Sequence, residues 1–136
     1  MRRHPIHQLR RYRPSAQALQ RYAADSALAA RRAELLDAAR EAEGRFRQAE
    51  ARRVPEAELR RLAEDFDAAL TAAMRAAYAA QRVEIGPRGY DDRIYRRKAM
   101  AKPRVRALTA EAERLLTLRE NHRLNHVPAV PYEPAT

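Results

Sequence analysis

The chain of 136 residues has no cysteine and no tryptophan, only two phenylalanines and only three glycines. Without cysteine it has no disulfide, no thiolate nucleophile and no sulfur ligand for a metal. Such a composition suits a reducing interior, and the cytoplasm or the inside of a virion is the expected setting. The glycines, Gly44, Gly86 and Gly89, are too scattered to form a phosphate-cradling loop, and no nucleophile elbow is present. No apolar run approaches the roughly 20 residues needed to cross a bilayer. Met1-Arg2-Arg3-His4-Pro5 lacks the apolar stretch of a secretory signal, so neither a membrane-embedded role nor export by that route is expected.

Large apolar side chains are also scarce. The length fits one domain, but 30 residues are Ala, and the aromatic core is limited to Phe46 and Phe66. Methyl groups bury little area each. Much of the stability should therefore come from the helix propensity of Ala, Arg, Glu and Leu, and from contacts with other molecules.

Proline divides the chain, at Pro5, Pro14, Pro55, Pro87, Pro103, Pro128, Pro131 and Pro134. Residues 1–14 read as a basic arm and residues 15–84 as a helical pair. The first helix of that pair, Ser15 to Arg53, starts beside Pro14 and has Gly44 as its weak point. The second runs from Pro55 to Arg82, with Glu56 and Glu58 in a first turn that favours negative charge. Its apolar positions Leu59, Leu62, Phe66, Ala69, Ala73, Ala76, Ala80 and Val83 alternate in steps of three and four, a coiled-coil seam widened by Ala63, Leu70, Met74 and Ala77. Leu28, Leu35, Ala39, Ala42, Phe46 and Ala49 form a related stripe. The fold expected is all-α: an antiparallel helical hairpin closed at Arg53-Val54-Pro55, or a rod kinked there, with Leu59, Leu62, Phe66, Leu70 and Met74 as its packing or partner seam. Residues 85–107 read as a basic Tyr/Arg loop. Residues 108–125 read as a shorter third helix capped by Thr109, and residues 126–136, with a proline every third position, as an extended tail suited to docking on neighbouring subunits.

Acid is scarcer than base. Lys and Arg number 28 against 18 Asp and Glu, for a net charge of +10, and 26 of the cations are Arg. Guanidinium groups suit bidentate phosphate contacts. Residues 1–13 contain Arg2, Arg3, Arg10, Arg11 and Arg13 and no acid, for +5; residues 86–106 carry Arg88, Arg93, Arg96, Arg97, Lys98, Lys102, Arg104 and Arg106 against Asp91 and Asp92, for +6; the rest of the chain sums to −1. The long helices are thus charge-balanced, as solvated helices with i,i+4 pairs are. Self-repulsion concentrated in two segments is relieved most simply by a polyanion. Tyr12 in the first segment and Tyr90 and Tyr95 in the second are placed among these cations as candidate stacking platforms for bases. The alternative is that Tyr90, Ile94 and Tyr95 anchor the second segment to the helices while its Arg side chains point into water.

Catalytic patterns are weak. Asp91-Asp92 is a paired carboxylate, but it lies among Arg side chains that hold both acids ionised, and it reads as local ion pairing. His122 and His126 are spaced i,i+4, yet nothing nearby completes a metal-ligand set, and surface placement is expected. No enzyme activity, cofactor or metal is expected. Nothing resembles a helix-turn-helix, a zinc finger or an RNA-recognition core, so contact should be with nucleic-acid backbone, DNA or RNA, without sequence specificity.

An Ala- and Arg-rich helical body with a basic arm and a proline-spaced tail is similar in general style to small virion or head-interior proteins of tailed phages and to accessory subunits of nucleoprotein complexes. The function expected is a structural or accessory subunit of that kind, associating through its helical seam and tail with other subunits or copies of itself. The alternative is a coiled-coil adaptor or chaperone-like module whose basic segments dock on an acidic protein surface.

Overall fold

The computed structural model describes residues 11–127, and these are helical and connecting residues with no strand. The order is α1 (Ala16–Ala29), α2 (Arg32–Arg52), α3 (Glu56–Ile85), α4 (Arg88–Asp91), α5 (Arg93–Ala99) and α6 (Pro103–His126). Residues 1–10, with Arg2, Arg3 and Arg10, and residues 128–136 lie outside the described residues. No helix among the described residues is long and apolar enough to cross a membrane.

The centre of the molecule is α3. Pro55 precedes it, Glu56 and Glu58 occupy its first turn, and α1, α2 and α6 all pack on it. The period of its apolar residues explains this. Phe66, Ala73 and Ala76 of the expected seam are buried, but so are Ala63, Leu70, Ala77 and Ala79, while Leu59, Leu62 and Met74 are half-buried against the same core. A stripe that wide covers more than one neighbour, and the small Ala side chains let three helices approach the same axis.

The pattern from Ser15 to Arg53 reads as one helix, and the structure divides it at Ala30–Arg31. Gly44, the expected weak point, sits exposed inside an uninterrupted α2. No breaker residue lies at the division, which is flanked by two tethers to other helices. Asp25 on α1 receives Arg82 of α3 at 2.7 and 3.1 Å. Immediately after the break, Arg32 on α2 is held by both carboxylate oxygens of Glu111 on α6 at 3.0 Å.

The end of α2 is a reversal built on a left-handed residue. Arg53 has φ 52° and ψ 50°, the Arg53 N–H donates to Glu50 at 3.2 Å, and the Val54 N–H donates to Ala49 at 3.3 Å. That six-to-one bond pattern normally recruits glycine. Beyond it Phe46 of α2 meets Phe66 of α3, centroids 6.2 Å apart, and Leu36 and Ala39 border the same hollow as Leu70.

Residues 85–107, read as a loop from their charge, proline and glycine, are mostly helical. Gly86, at φ 99°, turns the chain out of α3, and Gly89 lies so close to Ile85 that an added Cβ would meet its Cγ2 at 2.6 Å. After this corner, Asp92 caps α5 by accepting the Tyr95 N–H at 2.9 Å. Ala99, Val105 and Ile85 form a small second core with Tyr95 and Met100 packed against it. The last helix is also longer than expected: it begins at Pro103, which fits the first turn because it needs no N–H partner there. Thr109 is not its cap; the Thr109 hydroxyl donates to the Val105 carbonyl at 2.8 Å and accepts from Gln81 at 2.7 Å.

Candidate nucleic-acid interface

The cations of residues 86–106 are displayed by the outer faces of α5 and the start of α6. Tyr95 and Ala99 are four residues apart and turn inward, so Arg93, Arg97 and Lys98 face outward and are exposed; Lys102 stands at the turn, and Arg104 and Arg106 flank the buried Val105. No acid falls between Asp92 and Glu111. The balanced helices behave differently: Arg31, Arg40, Arg47 and Arg60 pair with acids on their own helix, and Arg32, Arg82 and Arg123 with acids on a neighbour. Among the cations of the basic segment, Arg88 pairs with Asp92 at 3.3 Å and Arg96 donates to the Gly89 carbonyl at 3.0 Å. Arg93, Arg97, Lys98, Lys102, Arg104 and Arg106 make no ion pair among the described residues. Beside them a broad open hollow of about 550 Å³ is bordered by Met100, Pro103, Arg106 and Ala107.

Asp91 joins this surface to the arm. Its carboxylate accepts the Ser15 N–H at 2.9 Å, the Ser15 hydroxyl at 2.6 Å and the Tyr12 hydroxyl. The two hydrogen bonds from Ser15, with that from Tyr12, hold the Asp91 carboxyl below its usual value. Desolvation, together with the bond to Asp91, pushes the Tyr12 hydroxyl up to about 12. The two acids of the pair therefore have different work. Asp92 takes the ion pair with Arg88, whereas Asp91, expected to be an ion-pair partner too, is held by hydroxyl and backbone donors.

A second junction lies about three helical turns further along α1. Asp25 accepts from Arg82 and from the Tyr90 hydroxyl. Burial raises its carboxyl, but the bonds from Arg82 and Tyr90 outweigh that and leave it below the usual value. Tyr22 meets Tyr90 edge-on, centroids 6.4 Å apart, and Arg21 lies over the Tyr90 ring at 5.2 Å.

These contacts change the roles expected of the tyrosines. Tyr90 is a half-buried anchor whose face and hydroxyl are already engaged. Arg88 lies over both Tyr12, at 5.3 Å, and Tyr95, at 4.7 Å, and Lys102 approaches Tyr95 at 5.9 Å. Each of the three rings therefore has a cation on a face. Ile94 is no anchor, being 67% exposed. Arg11 and Arg13 are exposed beside Tyr12. Of the seam residues, Phe66 and Leu70 are buried inside the bundle and Leu59, Leu62 and Met74 are packed against it. They bind α2 and α6.

Ser15, Arg21, Tyr22 and Asp25 escaped sequence reasoning. The only local hint was Asp25 one turn from Arg21 in an otherwise Ala-rich stretch. His122 also departs from expectation: it is buried, its Nε2 lies 2.7 Å from the Ala63 carbonyl, and its ring packs on Phe46 and Phe66. Among the described residues no group of three or more His, Asp and Glu is placed to hold a metal ion. No family model, curated protein or solved structure matches the chain.

Proposed function

We propose that the protein is a non-enzymatic structural or accessory subunit of a nucleoprotein assembly, one that holds nucleic-acid backbone without reading its sequence. In this reading α2 and α3 act as a coiled-coil-like hairpin, stiffened by α6, that carries the cationic surface. The observation that supports it best is the junction at Asp91. Residues 11–15 and α4 are far apart in sequence, and their joining brings Arg11 and Arg13 beside the +6 segment. Concentrating like charge at one place costs free energy that a solvated fold would avoid by spreading it, and a polyanion offsets that cost by releasing its counterions. The absence of acid between Asp92 and Glu111 keeps α5 and the first two turns of α6 clear of internal competitors. The rings of Tyr12, Tyr90 and Tyr95 each already hold a cation, and Glu113 borders the hollow beside Arg106, which favours backbone contact over base stacking.

The test is binding of the full chain to a fluorescent random-sequence duplex and to a single strand across a salt series. Affinity should fall steeply with salt. The triple substitution Arg93→Gln, Arg97→Gln, Lys98→Gln should lower the salt slope by up to about three, roughly one for each phosphate contact removed, and equally for different sequences. Absence of binding at low salt would overturn the reading and direct the search to an acidic protein surface.

A further inference from the structure

α2 and α6 both pack closely on α3 and meet each other through Arg32 and Glu111 and through Phe46 with His122 and His126. Beside these contacts a furrow remains over α3. Two hollows follow each other along that furrow. One, of about 180 Å³, is bordered by Leu36, Leu70 and Leu118 with the exposed Arg40 and Arg114; the other, of about 200 Å³, is bordered by Arg47, Leu118, His122 and His126. Phe66 forms part of both. Leu118 is left 42% exposed on the wall. The furrow has aromatic and aliphatic side chains below and mainly cationic side chains at its edges, with Glu43 the acid among them.

We propose that the segment 128–136 turns back at the end of α6 and lies in this furrow, with Tyr132 against Leu118 and Phe66 and Glu133 facing Arg114. The position of the chain is the first reason. α6 ends at His126, beside the second hollow, and nine residues follow Val127. An extended proline-rich chain advances about 3.1 Å per residue, so Tyr132 reaches about 15 Å from Val127. Leu118 is nine residues back from Val127, about 13–14 Å along the helix axis. Chemistry is the second reason. Prolines at 128, 131 and 134 have no N–H to leave unsatisfied and predispose the chain to an extended form, which is the form that aromatic-lined grooves accept at small entropic cost. Charge is the third. Arg40 and Arg47 are paired with Asp37 and Glu50 on their own helix, which leaves Arg114, without an ion pair among the described residues, to meet Glu133.

The chain has no tryptophan, so Tyr132→Trp in the full-length protein is a clean reporter that does not disturb the helical body. Its emission should be blue-shifted, with a several-fold smaller acrylamide quenching constant than a free tryptophan derivative. Protection should not change with protein concentration. Adding Leu118→Glu, at a wall position that is open enough to tolerate it, should restore solvent-like emission while circular dichroism is unchanged. Solvent-like emission in the single variant would overturn the proposal. So would protection that disappears on dilution, which would mean a second copy fills the furrow, or protection that Leu118→Glu does not alter. None of these outcomes depends on nucleic-acid binding.

Discussion

Asp91 binds Ser15 twice, through the backbone N–H at 2.9 Å and the hydroxyl at 2.6 Å, while the same Ser15 hydroxyl accepts the Ala18 N–H at 3.0 Å. The residue that starts α1 is therefore also the residue that fixes α4 to it. One carboxylate ties together the cap of a helix, the arm that precedes it and the corner that leads into the cationic face.

This relationship yields a prediction in which charge and position act in opposite directions. Asp91→Asn raises the net charge by one, so charge alone predicts tighter binding to a polyanion. If the arm and α5 act as one surface, loosening the junction weakens binding, because the arm no longer adds its cations at high effective concentration. We expect weaker binding in the salt series and faster proteolysis of the arm, with α-helical circular dichroism unchanged.

The junctions should hold over a wide but bounded pH range. Asp91 and Asp25 lie below the ordinary carboxylate value in the folded chain, so their contribution is complete above the unfolded value of about 4 and is lost as pH falls through the lower folded values. Tyr12, pushed up to about 12, and Tyr90, also raised, keep their protons longer when folded. That contribution is complete below the unfolded value of about 10 and is lost as pH rises through the folded values. Spectrophotometric titration should show tyrosines ionising late, and Tyr12→Phe should remove one of the late components.

Arg53 occupies the left-handed region with an exposed side chain. A non-glycine residue there costs about 1–2 kcal/mol, and glycine returns about 0.5–1 kcal/mol of that as unfolded-state entropy. Arg53→Gly should therefore stabilise the protein by roughly 0.5–1 kcal/mol in urea denaturation. A loss of stability would mean that the guanidinium has a role beyond the turn.

His122 places Nε2 on the Ala63 carbonyl and leaves Nδ1 buried without a partner. With Nε2–H as donor, Nδ1 is a bare acceptor, and an unsatisfied buried polar atom costs about 1–3 kcal/mol against a net gain near 1 for the bond that is made. His122→Phe, which keeps a ring between Phe46 and Phe66, should be neutral or stabilising in thermal denaturation. His122→Ala, which leaves a cavity, should cost roughly 2–4 kcal/mol.

The local signals were read well where a residue acts on its own helix. Pro55 with Glu56 and Glu58 marked the start of α3, and steps of three and four from Leu59 onward marked its apolar stripe. Reading failed where two influences overlapped. The helical character of residues 93–107 was masked by their charge, although Tyr95 and Ala99 one turn apart, and Pro103 at a helix start, carry the signal. The break at Ala30–Arg31 left no local trace, since nothing in Ala-Ala-Arg-Arg disfavours helix.

The sequence by itself determined that the chain is helical, where the helix after Pro55 starts and how the charge divides, because propensity, periodicity and net charge are sums over neighbouring residues. Only the tertiary structure decided that Asp91 meets Tyr12 and Ser15 and that Asp25 meets Arg82 and Tyr90. Those partners are separated by more than 50 residues, and a pairing over that distance is fixed by which helices the broad face of α3 can hold together.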